Sequence, residues 1–244
     1  FGINNNFKKI INAAEKRSQE LGDKEDAAAF YQNAKNILKK RKVSILKISD
    51  FNTTGLYLSP FSPASNFYRL LIARGASSHT GRGGGSHGHG QNAPFVHSAL
   101  RSIYYYSYVK DGIQETDHQE LFIGKSILNE WKDSDNKRRQ PIGYYGNIHP
   151  VVLDQYDQVS PLFDDQIPDE FRRKDNNTGL DIYIIADTLP SNWRNSAIRQ
   201  TLNYFYTAID RELLKVGITN NSGEIDYIDH TTIDSYIAEK QLNI

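Results

Sequence analysis

Three runs of β-branched and aromatic residues set the terms for any fold of this chain: residues 43–49 (VSILKIS), 102–108 (SIYYYSY) and 180–186 (LDIYIIA). Each has strand length and the side chains that suit a pleated, half-buried surface. Tyrosine packing within a sheet, with the hydroxyls at its rim, accounts for the middle run better than a stacking platform for bases does. Helical patterns lie between the runs. Residues 6–21 carry Phe7, Ile10, Ile11 and Ala14 at helical spacing, and Gly22 suits a C′ stop. Residues 24–40 place Ala28, Tyr31, Ala34 and Leu38 on one stripe. Short helices are expected over 64–74 and 93–100, the second with Asn92 as N-cap and Pro94 in its first turn. Residues 192–211 read as a long helix with Trp193, Ile198, Leu202, Phe205 and Ile209 on one face. A hairpin (213–218 and 225–228) and the start of a further helix (231–240) close the chain, while 125–180 reads as irregular, with a weak strand near 142–145. Strands and helices mix without βαβ alternation or an internal repeat, so the class expected is α+β. We expect one domain over 1–212, with 213–244 forming the hairpin and the start of a following region.

Charge excludes several function classes. Lysine plus arginine and aspartate plus glutamate both number 29 in 244 residues, so no global field draws nucleic acid or a membrane surface. Basic runs at 39–42 and 137–139 read as solvated turns or helix ends sooner than as contacts, and the 137–139 run with 172–174 is the whole support for a DNA-binding module. With no cysteine, disulfides and thiolate metal sites are excluded. No apolar run approaches the ~20 residues of a membrane helix and no signal peptide opens the chain, so a cytoplasmic location is expected. The chain also lacks methionine, which points to a piece of a longer polypeptide.

The stretch 81–95 (GRGGGSHGHGQNAPF) admits three readings. A flexible linker needs no N-cap and apolar helix directly after it. A metal site could draw on His79, His87, His89 and His97, but no Cys, Asp or Glu between 75 and 100 completes the set. A phosphate cradle uses glycines to bring backbone N–H groups close to an anion, with a helix N-terminus behind them. The stretch is neither a P-loop nor a dinucleotide fingerprint, because no Gly-Lys-Ser/Thr closes it and no strand leads directly into it.

What favours the cradle lies upstream. Strand candidate 43–49 runs into 50–55 (DFNTTG), and an Asp at a strand end before a small-residue turn can accept a hydrogen bond from an exocyclic amine such as adenine's. The pair of glycine boxes, DFNTTG and 85–90 (GSHGHG), resembles the GHKL ATPases: gyrase B, the large heat-shock chaperone, histidine kinases and MutL. The order of ISDFNTTGL, the GGSHGHGQNAPF segment, LRSIYYYS, IPDEFRR and GLDIYI is similar to a bacterial MORC-like branch associated with restriction and phage defence. The resemblance covers roughly 40–218.

It implies a Bergerat-type two-layer sandwich, a mixed sheet covered by helices. It implies an ATP site with Mg2+, formed by Asp50, Asn52, Thr54 and Gly55 at the base and by Gly84, Gly85, Ser86, His87, Gly88, His89, Gly90, Gln91 and Asn92 around the phosphates. It further implies slow hydrolysis, with lid closure driving homodimerisation or signalling, and a nuclease or other defence subunit as partner. Three departures stand out. The family's helix with a catalytic Glu and a magnesium-binding Asn has no counterpart here, since Asn33 lies too close to Asp50; the general base is expected before Phe1. Gln91 stands where relatives carry a Lys, leaving Arg82, His87 or His89 to compensate. Leu180 follows Gly179 where relatives have Gly-Thr, with Thr178 as the candidate substitute. A degenerate nucleotide-binding scaffold without ATPase activity is the alternative.

Overall fold

The computed structural model describes residues 5–22, 25–57, 65–71, 89–110, 118–150, 157–220 and 222–240. The chain divides into two compact units, Phe1–Thr188 and Leu189–Ile244. In the first, the helices are α1 (Asn5–Glu20), α2 (Glu25–Ile37), α3 (Asn66–Leu71) and α4 (Ala93–Val96). The strands are β1 (Ile45–Ser49), β2 (Ser102–Tyr108), β3 (Glu120–Ile127), β4 (Trp131–Lys132), β5 (Arg138–Arg139), β6 (Ile142–Tyr145), β7 (Asn147–Pro150), β8 (Asp157–Ser160), β9 (Leu162–Phe163) and β10 (Gly179–Ile185). The main sheet runs β1-β10-β2-β3-β6, with β9 also paired to β3. The class is α+β. Every pairing among the described residues is antiparallel, where the resemblance implies a mixed sheet.

Alternation along the strands sends side chains to two cores. Tyr106 and Phe122 share one with Ile11 and Ala14 of α1 and Tyr31 and Ala34 of α2. Ile103, Tyr105, Leu121 and Ile123 share the other with Phe67 and Leu71 of α3 and Phe95 of α4. Both sheet faces are therefore covered, the second by short helices. The helical spacing of Ile11, Ala14, Tyr31 and Ala34 makes α1 and α2 a hairpin with one apolar side. Ile37 and Leu38 join that side, while Ala28 is exposed and outside the stripe. Gly22 ends α1 with φ +69°, the left-handed conformation a C′ glycine supplies. Asn33 is exposed on α2.

Two expectations fail locally. Asn92 holds the N-cap position but does not cap: its backbone is already helical (φ −92°, ψ −14°), it makes no side-chain cap bond, and it ends a 3-10 turn over His89–Asn92 that leads into the four-residue α4. A strand, β3, covers 120–124, where no element is expected, and runs on into 125–127, expected to be irregular. Its Glu120 and Lys125 are both buried, and both have partners: Tyr106 Oη donates to Glu120 Oε1 at 2.9 Å, and Lys125 Nζ donates to the Leu71 carbonyl at 2.7 Å.

The second unit contains α5 (Trp193–Asp210), β11 (Val216–Thr219), β12 (Ile225–Ile228) and α6 (Ile233–Lys240). Ile198, Leu202 and Ile209 of α5 pack on Ile218, Ile228 and Ile233. The long helix therefore belongs with the closing hairpin, and the division falls before it rather than at 212. Tyr206 packs against this core; Phe205, expected on the apolar face, is half exposed.

Phe122 is fully buried and lies 5.3 Å from the Tyr104 ring and 4.8 Å from that of Phe171. Phe122→Ala should destabilise the first unit by about 3–5 kcal/mol in urea unfolding, the range for emptying a large core site; a loss below about 1 kcal/mol would contradict this packing.

Candidate functional site

The residues of the first glycine box lie where the edge strand β1 leaves the sheet. Its ladder with β10 ends at Ser49 opposite Asp181. One residue further, Asp50 N–H still donates to the Leu180 carbonyl at 3.0 Å. The return bond goes elsewhere. Leu180 N–H donates at 2.8 Å to Asp50 Oδ1, in place of the main-chain oxygen that an antiparallel pair ordinarily uses. The Asp50 carbonyl is thereby released, and Arg173 Nη2 donates to it at 2.6 Å. Thr53 Oγ1 also donates to Asp50 Oδ1, at 2.7 Å. No described residue donates to Oδ2, and Asp50 is exposed.

The turn after Asp50 is pinned against the ends of β2 and β10. Asn52 takes φ +60°, a conformation that Asn tolerates better than most residues. Gly55 has φ +71°, and a Cβ there would sit 2.6 Å from Ser107 Oγ and 2.7 Å from the Tyr108 carbonyl. Ser107 is buried; it accepts from Leu56 N–H at 2.7 Å and donates to the Gly179 carbonyl at 3.2 Å. Gly179 is restricted as tightly: its φ is +145°, and a Cβ would meet the Asp50 carbonyl at 2.3 Å and Asp50 Oδ1 at 2.5 Å. The two glycines and one serine let three chain segments converge under the Asp50 carboxylate.

Behind the turn lies a buried charged cluster that the sequence reading did not assign to the site. Asp181 is fully buried; Arg173 Nη2 reaches its Oδ1 at 2.7 Å and Lys47 Nζ its Oδ2 at 2.9 Å. Burial pushes the Asp181 carboxyl up, but the hydrogen bonds from Arg173, Lys47 and Ser49 together outweigh it and hold it below the usual carboxylate range. Burial, reinforced by Glu120, pushes the Tyr106 hydroxyl up, so it stays a neutral donor; with its hydroxyl on Glu120, this tyrosine does not reach the sheet rim. Arg172 Nη2 donates to the other Glu120 oxygen at 2.5 Å. Arg172 and Arg173 are thus committed to internal carboxylates, and Arg138 and Arg139 pair with Glu130 and Asp133. These pairings engage four of the basic residues counted toward a DNA-binding module. The cluster's signal lay in IPDEFRR and GLDIYI, where Arg173 and Asp181 looked like a surface base and an ordinary strand residue.

The structure brings Asp50, Asn52, Thr54 and Thr178 together at one end of the β1–β10 pair. Asp50, Asn52 and Thr54 are exposed and Thr178 half-buried; Gly55 is buried beneath them. Gly84, Gly85, Ser86, His87 and Gly88, with His79 and Arg82, lie outside the described residues, and of His89 and Gly90 the backbone alone is described. Gln91 sits at the far end of α3. In the amide orientation that satisfies its neighbours, its nitrogen donates to the Arg69 and Leu70 carbonyls at 3.3 and 3.1 Å. At the near end, Asn66 Nδ2 donates to the Gly55 carbonyl at 2.6 Å. The six residues of α3, about 9 Å long, thus join the Asp50 turn to residues that follow the glycine stretch.

No family model, curated protein or solved structure matches the chain. Among the described residues, no group of three or more His, Asp or Glu could hold a metal ion, and no helix is long and apolar enough to cross a membrane.

The lowered pKa of Asp181 gives a signed expectation. A carboxylate depressed in the folded state stabilises it at pH values above the unfolded value of about 3.9, and that stability is lost as pH falls through the folded value. Asp181→Asn should lower stability at pH 7 and flatten the fall in melting temperature below about pH 4. A melting profile parallel to wild type would contradict the ion pair.

Proposed function

We propose that the first unit binds ATP in the manner of a GHKL-type domain, with the adenine amine donating to Asp50. The observation that carries this reading is the Asp50 carboxylate: in this exposed residue one oxygen is fixed by Leu180 N–H and Thr53, and the other has no donor among the described residues. A carboxylate held in this way is a rigid acceptor, already oriented for a donor on a ligand. Thr178 and Asn52 flank it. The glycine stretch would meet the phosphates with successive N–H groups. Mg2+ would enter as the ion of the nucleotide's phosphates, which suits its preference for few protein carboxylates. Hydrolysis would be in-line attack of water, promoted by positioning and by stabilisation of the developing charge. Closure on the nucleotide would couple to homodimerisation within a bacterial defence assembly.

The placement of Gln91 favours a second reading. Its amide is engaged with α3 carbonyls, at the position where relatives offer a lysine to phosphate. A domain without that cation binds nucleotide more weakly and can serve as a scaffold that does not turn over. Phosphate release by the protein with bound Mg·ATP separates the two readings.

Asp50→Asn keeps an acceptor for Leu180 N–H but replaces the exposed oxygen with a second donor. It should weaken binding of a fluorescent ATP analogue by about 10- to 100-fold, the worth of a charge-assisted hydrogen bond, with the melting temperature little changed. Unchanged affinity would remove the adenine assignment.

A further inference from the structure

Arg173 joins three segments that meet at the candidate site. Its guanidinium donates to the Asp50 carbonyl at 2.6 Å, the Asn177 carbonyl at 2.7 Å and Asp181 Oδ1 at 2.7 Å, and its Cζ lies 4.5 Å from the centroid of the Phe51 ring. The side chain is 2% exposed, and its Nε is buried without a partner. A Cβ on Gly179 would sit 3.0 Å from Arg173 Nη1, so the glycine also leaves room for the guanidinium. Burying a guanidinium with one unsatisfied N–H is unfavourable, and an aliphatic side chain would fill the same volume without that cost. A compensating role follows from what the guanidinium holds. By holding the released Asp50 carbonyl outside the ladder, it keeps Leu180 N–H on Asp50 Oδ1, and this fixes the direction of Oδ2.

We propose that Arg173, anchored by Asp181, is a positioning residue for base recognition, acting through the orientation of the Asp50 carboxylate. The inference rests on the nucleotide reading above. Lysine cannot reproduce it, because one ammonium cannot span three acceptors and stack on Phe51 at once.

The test uses the full chain with Arg173→Lys and, as an independent perturbation of the same clamp, Asp181→Asn. Dissociation constants are measured for ATP and for purine riboside triphosphate, which differ only in the exocyclic amine. Wild type should prefer ATP by about 10-fold or more. In both variants the preference should fall to within about threefold, chiefly through weaker ATP binding. A purely structural role would weaken both nucleotides by one factor, and an unchanged ratio overturns the proposal. Should wild type bind neither nucleotide, the adenine reading fails by itself. Hydrogen exchange at the Leu180 amide then decides the positioning role. Exchange accelerated about tenfold or more in the variants, relative to Ile123 in the central strand, supports it; equal acceleration at both amides overturns it.

Discussion

The structure around Asp50 depends on one exchanged hydrogen bond. At the end of β1 the Asp50 side chain, rather than its main chain, receives the Leu180 N–H. The substitution ends the ladder and frees the Asp50 carbonyl for Arg173. It also turns the chain into a tight loop that only glycine at 55 and 179 can accommodate. The same bond immobilises one carboxylate oxygen, while the other has no donor among the described residues. Local fold and candidate chemistry follow from a single acceptor that does backbone work.

Charges behind the turn make this arrangement rigid. A buried ion pair is weak evidence for stability, since desolvation offsets much of its attraction. The pair of Arg173 and fully buried Asp181 is better explained by geometry. It ties residues distant in sequence, the Asp50 turn and the start of β10, to one fixed arrangement. The neighbouring pair of Arg172 and Glu120, with Tyr106 on the same carboxylate, extends that order into β3. Buried polar groups paired across distant segments in this way specify a unique packing where apolar contacts alone would allow several.

Much of the fold could be read from residue patterns, and the exceptions have physical reasons. Strands β1, β2 and β10 follow their β-branched and aromatic runs, and α1, α2 and α5 follow helical spacing. β3 escaped because Glu120, Gly124 and Lys125 interrupt its apolar pattern; partners far away in sequence satisfy both charged groups, and no local rule shows that. The apolar stripe of α5 reveals a helix but not which core it serves, so the division before α5 is not legible in it. Asn92 has the composition of a cap but a helical backbone, because a 3-10 turn precedes it. At the site, Asp50 and the glycine at 55 were legible from the turn chemistry. Arg173 and Asp181 were not: a basic residue in a charged run looks solvated until the fold buries it.

The most direct measurement of the central claim is an amide-resolved NMR titration with Mg·ATP. The account predicts saturable shifts at Leu180, Thr53 and Thr178, the groups around the Asp50 carboxylate, with small changes in the second unit's hairpin. Amides around Asp50 that stay unmoved at millimolar ATP would contradict it.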